Sequence, residues 1–278
     1  MYYSVFRWFP KSAFSRLLGW LASIAFPGWL LRPVIRAYIG VFSIDMSQFA
    51  LPVEAYPTFN AFFTRPVREG ARPVLQDPRI LVSPVDGVVV EGGRMDDGRL
   101  VQCKGRTYSL AELLGGDPSW PSYDGGSFLT LYLSPRDYHR IHAPCAGRVN
   151  RFRYLPGALW TVSPAGVRGV PNLFTRNERL VTFLQADFGE VAVVAVGATV
   201  VGKIRVVYHP IVSNLRGARP LAETLAEPLL LRQGAELGRF ELGSTVILLT
   251  RPGEVDPHPL QAGDPVRMGM PIGRVTHA

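Results

Sequence analysis

The sequence predicts a mainly β fold, a flattened barrel or sandwich of many short strands preceded by amphipathic helices. Three observations support this fold class. From residue 81 onward, short apolar runs alternate with turn residues, and the chain contains 28 Gly and 24 Pro. Such punctuation is typical of short strands joined by tight turns. The runs do not alternate with long helical patterns, which argues against a doubly wound parallel sheet. The predicted strands are 81–82, 88–90, 128–133, 191–196, 199–208 and 245–249.

The first 44 residues differ from the rest of the chain, with five basic, eleven aromatic and no acidic residues. Apolar residues recur at helical spacing on both sides of Pro27, which predicts two amphipathic helices. The longest uncharged run, residues 17–31, is too short and too interrupted to span a bilayer. Aromatic residues flanked by Arg are typical of helices in the membrane interface. We therefore expect residues 1–55 to associate with a membrane surface.

Three other interpretations of this N-terminal segment stay open. The two helices could simply pack on the core of the domain. The segment could be a secretion signal, although no small-x-small cleavage site follows the apolar run. It could bind nucleic acid, but a continuous apolar face argues against that.

The composition indicates a folded protein with an excess of Arg. Hydrophobic residues make up 47% of the chain and charged residues 19%, which excludes a disordered protein. The net charge is +8, and 27 of the 30 basic residues are Arg. Arg binds phosphate bidentately, so the excess suits phosphate groups on lipid or nucleic acid, although a GC-rich genome produces the same bias. Two cysteines, Cys103 and Cys145, give no disulfide framework.

Two local patterns refine the β prediction. Residues 109–112 form a capping box closed by Gly115-Gly116, which predicts one short helix. Residues 84–89 and 144–149 share the pattern P-x-x-G-x-V, and G-D-x-V followed by G-x-V occurs near the C-terminus. These patterns resemble the flattened β-barrels of lipoyl- and biotinyl-carrier domains, where Gly permits tight bends at sheet corners.

Three short motifs contain residues suited to catalysis. Asp86 lies in S-P-V-D-G, which by itself is most often a turn. His139 and His142 lie three residues apart; they lack a convincing third metal ligand but could share acid–base steps. Gly243-Ser244 precedes an apolar strand, where an isolated Gly-Ser pair is usually structural.

Taken together, these motifs resemble those of the phosphatidylserine decarboxylase family. The members of this family are pyruvoyl-dependent membrane enzymes. The resemblance extends over almost the whole chain. One departure is Ala61, where many relatives carry an acidic residue, but this position has no assigned catalytic role. The matching stretches are 56–65, 70–73, 83–87, 133–144, 154–157, 177–179 and 242–245.

The resemblance implies that the chain is a zymogen that cleaves itself between Gly243 and Ser244. Residues 1–243 become the β chain and residues 244–278 the α chain. Ser244 becomes a covalent pyruvoyl group that forms a Schiff base with the serine amine of the lipid. This cofactor requires no metal and no pyridoxal phosphate, and only three lysines are present to serve the latter.

The family resemblance also implies a role for each site residue. Asp86 orients His142, and His142 activates Ser244 as in a serine-hydrolase triad. His139 is the candidate proton donor for decarboxylation, with a purely structural His139 as the alternative. The reaction converts phosphatidylserine to phosphatidylethanolamine and CO₂.

Partners and location follow from the same resemblance. We expect a catalytic domain over residues 56–278, a phosphatidylserine substrate, and peripheral binding to the anionic cytoplasmic face of the cell membrane. The α and β chains of one precursor stay associated, and no nucleic acid is bound. Two alternatives remain: a decarboxylase of another serine-headed lipid of the archaetidylserine type, and a non-catalytic module resembling a lipoyl carrier. The three lysines lack the hairpin setting that a carrier needs.

Overall fold

The structure is a computed structural model that describes residues 11–199, 203–241 and 244–276. The mainly β prediction is confirmed, with sixteen strands, six α-helices and three short 3₁₀ turns in these residues. The helices are α1 (Lys11–Ser23), α2 (Gly28–Phe42), α3 (Phe59–Phe63), α4 (Leu110–Leu113), α5 (Pro164–Gly169) and α6 (Leu173–Arg176). The strands are β1 (Ile80–Val82), β2 (Gly87–Arg94), β3 (Arg99–Cys103), β4 (Arg106–Ser109), β5 (Ser127–Leu133), β6 (Arg140–His142), β7 (Gly147–Leu155), β8 (Arg179–Ala186), β9 (Gly189–Val196), β10 (Lys203–Val206), β11 (Leu221–Leu231), β12 (Glu236–Glu241), β13 (Ser244–Leu249), β14 (Val255–Pro257), β15 (Pro265–Val266) and β16 (Pro271–Val275).

An eight-stranded antiparallel sheet forms the centre of the fold, in the order β11-β7-β8-β9-β13-β5-β2-β15. All six residues of β13 are buried. Val246 and Leu248 pack into one hydrophobic cluster, whereas Ile247 and Leu249 pack into another. Because alternate residues of a strand point to opposite faces, both faces of this sheet are covered. This explains why β13 reads as a continuous apolar run.

Two different layers cover the main sheet. The three-stranded sheets β10-β12-β6 and β1-β16-β14 cover one face, with Phe240 and Ile272 in the shared cluster. The β3-β4 hairpin and the short helices cover the other face, through residues such as Leu110 and Phe174. The flattened sandwich is therefore confirmed. A closed barrel is not formed in the described part, because β11 and β15 end the main sheet.

Several local predictions agree with the observed elements. Strands β5, β9 and β13 coincide with three predicted runs to within two residues. The predicted strand over 199–208 contains β10, while residues 200–202 lie outside the described part. The capping box is confirmed: Ser109 Oγ accepts a hydrogen bond of 3.2 Å from the Glu112 amide and α4 follows.

The two P-x-x-G-x-V repeats occupy equivalent places, each leading into a strand of the main sheet. Gly87 begins β2 and Gly147 begins β7. Neither glycine has a positive φ. A Cβ atom at Gly87 would lie 2.4 Å from the Tyr132 carbonyl oxygen, and one at Gly147 would lie 2.7 Å from that of Gln185. The glycines are therefore required for close approach of neighbouring strands rather than for a left-handed bend.

The two N-terminal helices form on either side of Pro27, as predicted. Leu31 and Ile35 of α2 are buried against a cluster that includes Phe62. Helix packing on the core is thus observed along one side. Other large apolar residues of the two helices and of the segment between them are exposed: Leu17, Trp20, Leu21, Phe26, Trp29, Leu30, Val34 and Val41. Among the described residues, no helix has both the length and the apolar character needed to cross a bilayer.

Candidate active site

Three neighbouring strands bring two of the predicted site residues to one edge of the main sheet. Asp86 immediately precedes β2, β5 ends at Leu133, and β13 begins at Ser244. Ser244 pairs with Leu133, and Val88 pairs with Tyr132 on the other side of β5. Adjacent strands lie about 4.8 Å apart, so the backbones next to Asp86 and Ser244 are about 10 Å apart.

Strand pairing places the histidine motif beside the same edge. The His142 amide donates a hydrogen bond of 2.9 Å to the Pro84 carbonyl, which ties β6 to the Asp86 motif. The Phe240 amide donates a bond of 2.9 Å to the His139 carbonyl, and Phe240 lies on β12, the strand that leads toward Ser244. His139 precedes β6, whereas His142 is its last residue and pairs with Glu236.

His139 is fully buried and neutral. Its Nδ1 lies 2.8 Å from the Asp137 carbonyl oxygen, which can only accept, so Nδ1 carries the proton. Burial lowers the pKa of His139 to about 3. The other nitrogen, Nε2, therefore presents a lone pair, and it has no hydrogen-bond partner in the described part of the chain. The ring packs against Phe63 at a centroid distance of 4.1 Å.

His142 uses both of its ring nitrogens. Nδ1 donates to the Gly234 carbonyl oxygen at 2.7 Å, and Nε2 accepts a hydrogen bond of 3.0 Å from the Tyr138 hydroxyl. Burial lowers the pKa of His142 as well, so the ring is neutral near pH 7. Within the described residues, no hydrogen bond joins His142 to Asp86 or to Ser244.

The Asp86 carboxylate is buried and bound by Arg72. The Arg72 Nε lies 2.9 and 3.0 Å from the two carboxylate oxygens. The Met268 amide donates a further bond of 2.8 Å to Oδ1. This side-on ion pair between Arg72 and Asp86 was not anticipated from the sequence. In the sequence, Arg72 is visible only as the Arg of the G-A-R-P stretch. It lies 14 residues before Asp86, and no local pattern links the two positions.

Ser244 is 1% exposed, and its Oγ has no hydrogen-bond partner among the described residues. A buried hydroxyl without a partner is unfavourable by about 1–3 kcal/mol, so such groups are uncommon and are often functional. The predicted cleavage partner, Gly243, lies outside the described residues.

Ser244 also lies on the wall of an apolar cavity of about 710 Å³. Helices α1 and α2 form much of this wall, together with Phe63 of α3 and the end of β5. The cavity therefore joins the N-terminal helices to Ser244. Its apolar lining includes Leu18, Leu21, Phe26, Leu30, Leu31, Val34, Tyr38, Phe42, Phe59, Phe63, Leu133 and Val162.

No group of three or more His, Cys, Asp or Glu side chains in the described ranges is arranged to hold a metal ion. The imidazole Nδ1 atoms of His139 and His142 are both committed to backbone carbonyls.

Comparison with known proteins identifies the family of the chain. A family model described as phosphatidylserine decarboxylase matches residues 59–274. The chain belongs to the phosphatidylserine decarboxylase family. It is 47% identical over 277 residues to the phosphatidylserine decarboxylase proenzyme of Anaeromyxobacter sp. (strain K), covering 98% of each chain. It is 47% identical to that of Acidovorax ebreus (strain TPSY), covering 94% of this chain and 92% of the relative. It is 42% identical to that of Myxococcus xanthus (strain DK1622), covering 96% and 95%.

Membership of the phosphatidylserine decarboxylase family confirms the resemblance seen in the motifs. The catalytic roles of Asp86, His139, His142 and Ser244 stay predictions, because similarity over the chain does not test individual side chains. Besides Arg72, sequence reasoning also missed Tyr138, whose hydroxyl occupies His142 Nε2. A Tyr between Asp and His carries no separate signal in a single sequence.

Proposed function

We propose that this phosphatidylserine decarboxylase is a proenzyme that cleaves its own backbone between Gly243 and Ser244. The observation that carries the proposal is the Ser244 hydroxyl, which is buried and has no partner in the described structure. It lies at the start of β13, one strand away from β2 and the Asp86 motif, on the wall of the cavity formed by the N-terminal helices. The match to a family whose relatives are named as proenzymes supports processing of this chain.

A pyruvoyl group derived from Ser244 fits this position. The unpartnered Oγ is free to react, and the adjacent cavity offers space for a lipid beside residue 244. Such a group supplies the electron sink that a decarboxylation requires. The side chains of the protein supply the remaining functions. The cavity binds the lipid, Asp86 orients a histidine, and the histidines move protons.

Self-cleavage begins with a shift of the acyl group from nitrogen to oxygen. Ser244 Oγ bonds to the Gly243 carbonyl carbon, the peptide C–N bond breaks, and the Oγ proton ends on the Ser244 nitrogen. The resulting ester breaks when the Ser244 Cα loses a proton and the electron pair leaves with the Gly243 carboxylate. Water then hydrolyses the carbon–nitrogen bond of residue 244. The nitrogen departs as ammonia, and the Cα of residue 244 becomes a carbonyl carbon.

We assign the first proton transfer to His142, oriented by Asp86. A serine hydroxyl needs such a base to become nucleophilic. In the described structure Tyr138 occupies His142 Nε2 and the Gly234 carbonyl occupies Nδ1. These roles therefore require Nε2 to exchange the Tyr138 hydroxyl for that of Ser244, and Nδ1 to exchange the Gly234 carbonyl for the Asp86 carboxylate. The Pro84–His142 backbone bond keeps the two motifs together during the exchange.

We assign proton return to the substrate carbon to His139. Its Nε2 is unprotonated and unpartnered, so it must take up a proton before it donates one. Burial opposes that uptake, because it lowers the pKa of His139 to about 3. An anionic lipid head group beside the ring favours the imidazolium and raises the pKa again. His139 is thus suited to act only when substrate is bound.

Two histidine variants separate these roles. We expect His142→Gln to remain an uncleaved precursor. We expect His139→Gln to be cleaved but to release CO₂ from phosphatidylserine at least 100-fold more slowly, in line with loss of an acid–base group. His258→Gln, which removes an imidazole outside the site, serves as the matched control. Cleavage of His142→Gln at the wild-type rate, or full turnover by His139→Gln, contradicts the assignment.

We further propose that the enzyme binds peripherally to the cytoplasmic face of the membrane. The support is the exposed apolar side of α1 and α2 together with the cationic residues Arg32 and Arg36. A lipid can then pass from the bilayer into the cavity beside Ser244. The substrate can be phosphatidylserine or a serine-headed lipid of the archaetidylserine type. Comparing CO₂ release from ester-linked phosphatidylserine with that from an ether-linked serine phospholipid distinguishes these two hypotheses. The family match favours either of them over a carrier-like module.

The position of β13 supports stable association of the α and β chains after cleavage. β13 belongs to the α chain, yet it lies between β5 and β9 at the centre of the main sheet. Arg251 of the α chain also forms an ion pair of 2.8 Å with the buried Glu190 of the β chain. Separating the chains requires disruption of the hydrophobic core, so we expect them to remain together in folded enzyme.

A further inference from the structure

The Asp86 carboxylate is held by one guanidinium group in a geometry that fixes both of its oxygens. The Arg72 Nε contacts both oxygens, and Nη2 approaches Oδ2 to 2.5 Å. Both side chains are more than nine-tenths buried. A guanidinium donates several hydrogen bonds in one rigid plane, which a Lys ammonium cannot reproduce. The position of Asp86 therefore depends on the position of Arg72.

Arg72 is in turn held by residues from the N-terminal segment. Its Nη1 donates 2.8 Å hydrogen bonds to Gln48 Oε1 and to the Ala71 carbonyl. Gln48 Nε2 donates to Asp45 Oδ2 at 2.8 Å, and Asp45 caps the short 3₁₀ turn Met46–Gln48 through the Ser47 amide. This turn begins shortly after α2 ends. A continuous set of hydrogen bonds thus runs from the end of α2 to Asp86.

We propose that Arg72 is the positioning residue for Asp86 in self-cleavage and that Gln48 positions Arg72. The inference rests on the proposed role of Asp86 in processing. No other side chain in the described part of the structure bonds to the Asp86 carboxylate, so removal of Arg72 leaves only the Met268 amide to orient it. Because Gln48 contacts Arg72, the position of Asp86 also depends on the position of the segment that follows α2.

The test follows cleavage of the full chain made by cell-free translation with phosphatidylglycerol vesicles. We expect Arg72→Ala to be cleaved about 10- to 100-fold more slowly, the range found for residues that orient the ligands of metal sites. We expect a smaller decrease for Gln48→Ala. The matched control is Arg79→Ala, because Arg79 makes the same side-on pair with Asp77 at the surface. This control is expected to be cleaved at the wild-type rate.

Millimolar guanidinium separates positioning from a general structural role. It should restore cleavage of Arg72→Ala by at least fivefold and have no effect on Arg72→Ala/Asp86→Asn, where the group to be positioned is missing. If Arg72→Ala does not fold, Arg72→Lys takes its place; it keeps the charge but not the planar contact, and we expect slower cleavage.

Three results would overturn the proposal: wild-type cleavage by Arg72→Ala, wild-type cleavage by a folded Arg72→Lys, or equal guanidinium rescue with and without Asp86. Failure of the underlying function is distinguishable. In that case the wild-type chain itself stays whole, or Asp86→Asn is cleaved as fast as wild type.

Discussion

Gly87 provides a quantitative test of how the site is built, because it directly follows Asp86 and begins β2, which pairs with β5, the strand between β2 and β13. In Gly87→Ala, the new Cβ would lie 2.4 Å from the Tyr132 carbonyl oxygen, whereas ordinary contact starts at 3.4 Å. The obstacle is backbone of the neighbouring strand and cannot rotate away. β2 must therefore move by about 1 Å relative to β5, and overpacking of this kind destabilises a protein by about 1–3 kcal/mol.

The same displacement moves Asp86 relative to the residues of β5 and β13. A 1 Å misplacement of a reacting group lowers rates by about 100-fold, so we expect self-cleavage of Gly87→Ala to slow by that factor. The matched control is Gly93→Ala on the same strand, where the Cβ meets only the Phe128 ring at 3.6 Å. Thermal unfolding and cleavage rate are measured for both. Equal stability and equal cleavage in the two variants would refute the argument.

Three further predictions concern other parts of the molecule. The pKa of His139 is about 3 in the folded state and about 6.5 in the unfolded state, so unfolding takes up a proton between these pH values. The free energy of unfolding should therefore fall by up to about 1.4 kcal/mol for each pH unit below pH 6.5. In His139→Gln, this decrease should be less steep. Trp29→Glu and Val41→Glu should each weaken binding to phosphatidylglycerol vesicles by about 10- to 100-fold, from the loss of about 1.5–3 kcal/mol of apolar burial. The control Leu230→Glu, at an exposed apolar residue of β11, should bind normally in a sedimentation assay. Asn177→Ala removes hydrogen bonds to the Trp160 amide, the Trp160 carbonyl and the Gly197 carbonyl, so denaturant unfolding should show a loss of about 3 kcal/mol; a loss below 1 kcal/mol contradicts this.

Local patterns in the sequence were sufficient for the fold class, for six of the sixteen described strands and for three of the six described α-helices. The apolar run of β13 predicts a buried strand, and Ser109 with Glu112 predicts α4, because both signals lie within a few residues. The order of strands could not be predicted in this way. β13 lies between β5 and β9, and β5 is more than 100 residues away in sequence, so the pairing depends on long-range packing.

In the candidate site, too, local motifs could be predicted from the sequence, whereas long-range contacts could not. Asp86, His139, His142 and Ser244 were selected by their motifs. The structure places Asp86 and Ser244 at strand ends on one side of the main sheet, and backbone hydrogen bonds hold the histidine segment beside them. The partners of these side chains were not predictable. Arg72 reaches Asp86 across an irregular segment, and Tyr138 reaches His142 because the chain bends before β6. Such contacts depend on side-chain direction, which spacing in an irregular segment does not determine.

Self-cleavage at Ser244 can be measured by intact-mass spectrometry of the wild-type protein and of Ser244→Ala, side by side. Self-cleavage should give two wild-type chains of about 27 and 4 kDa by residue count, with the smaller chain beginning in a ketone that borohydride reduces. Ser244→Ala should remain whole and fold normally. A folded wild-type protein that stays whole in the presence of phosphatidylserine vesicles would contradict self-cleavage at Ser244 and the mechanism built on it.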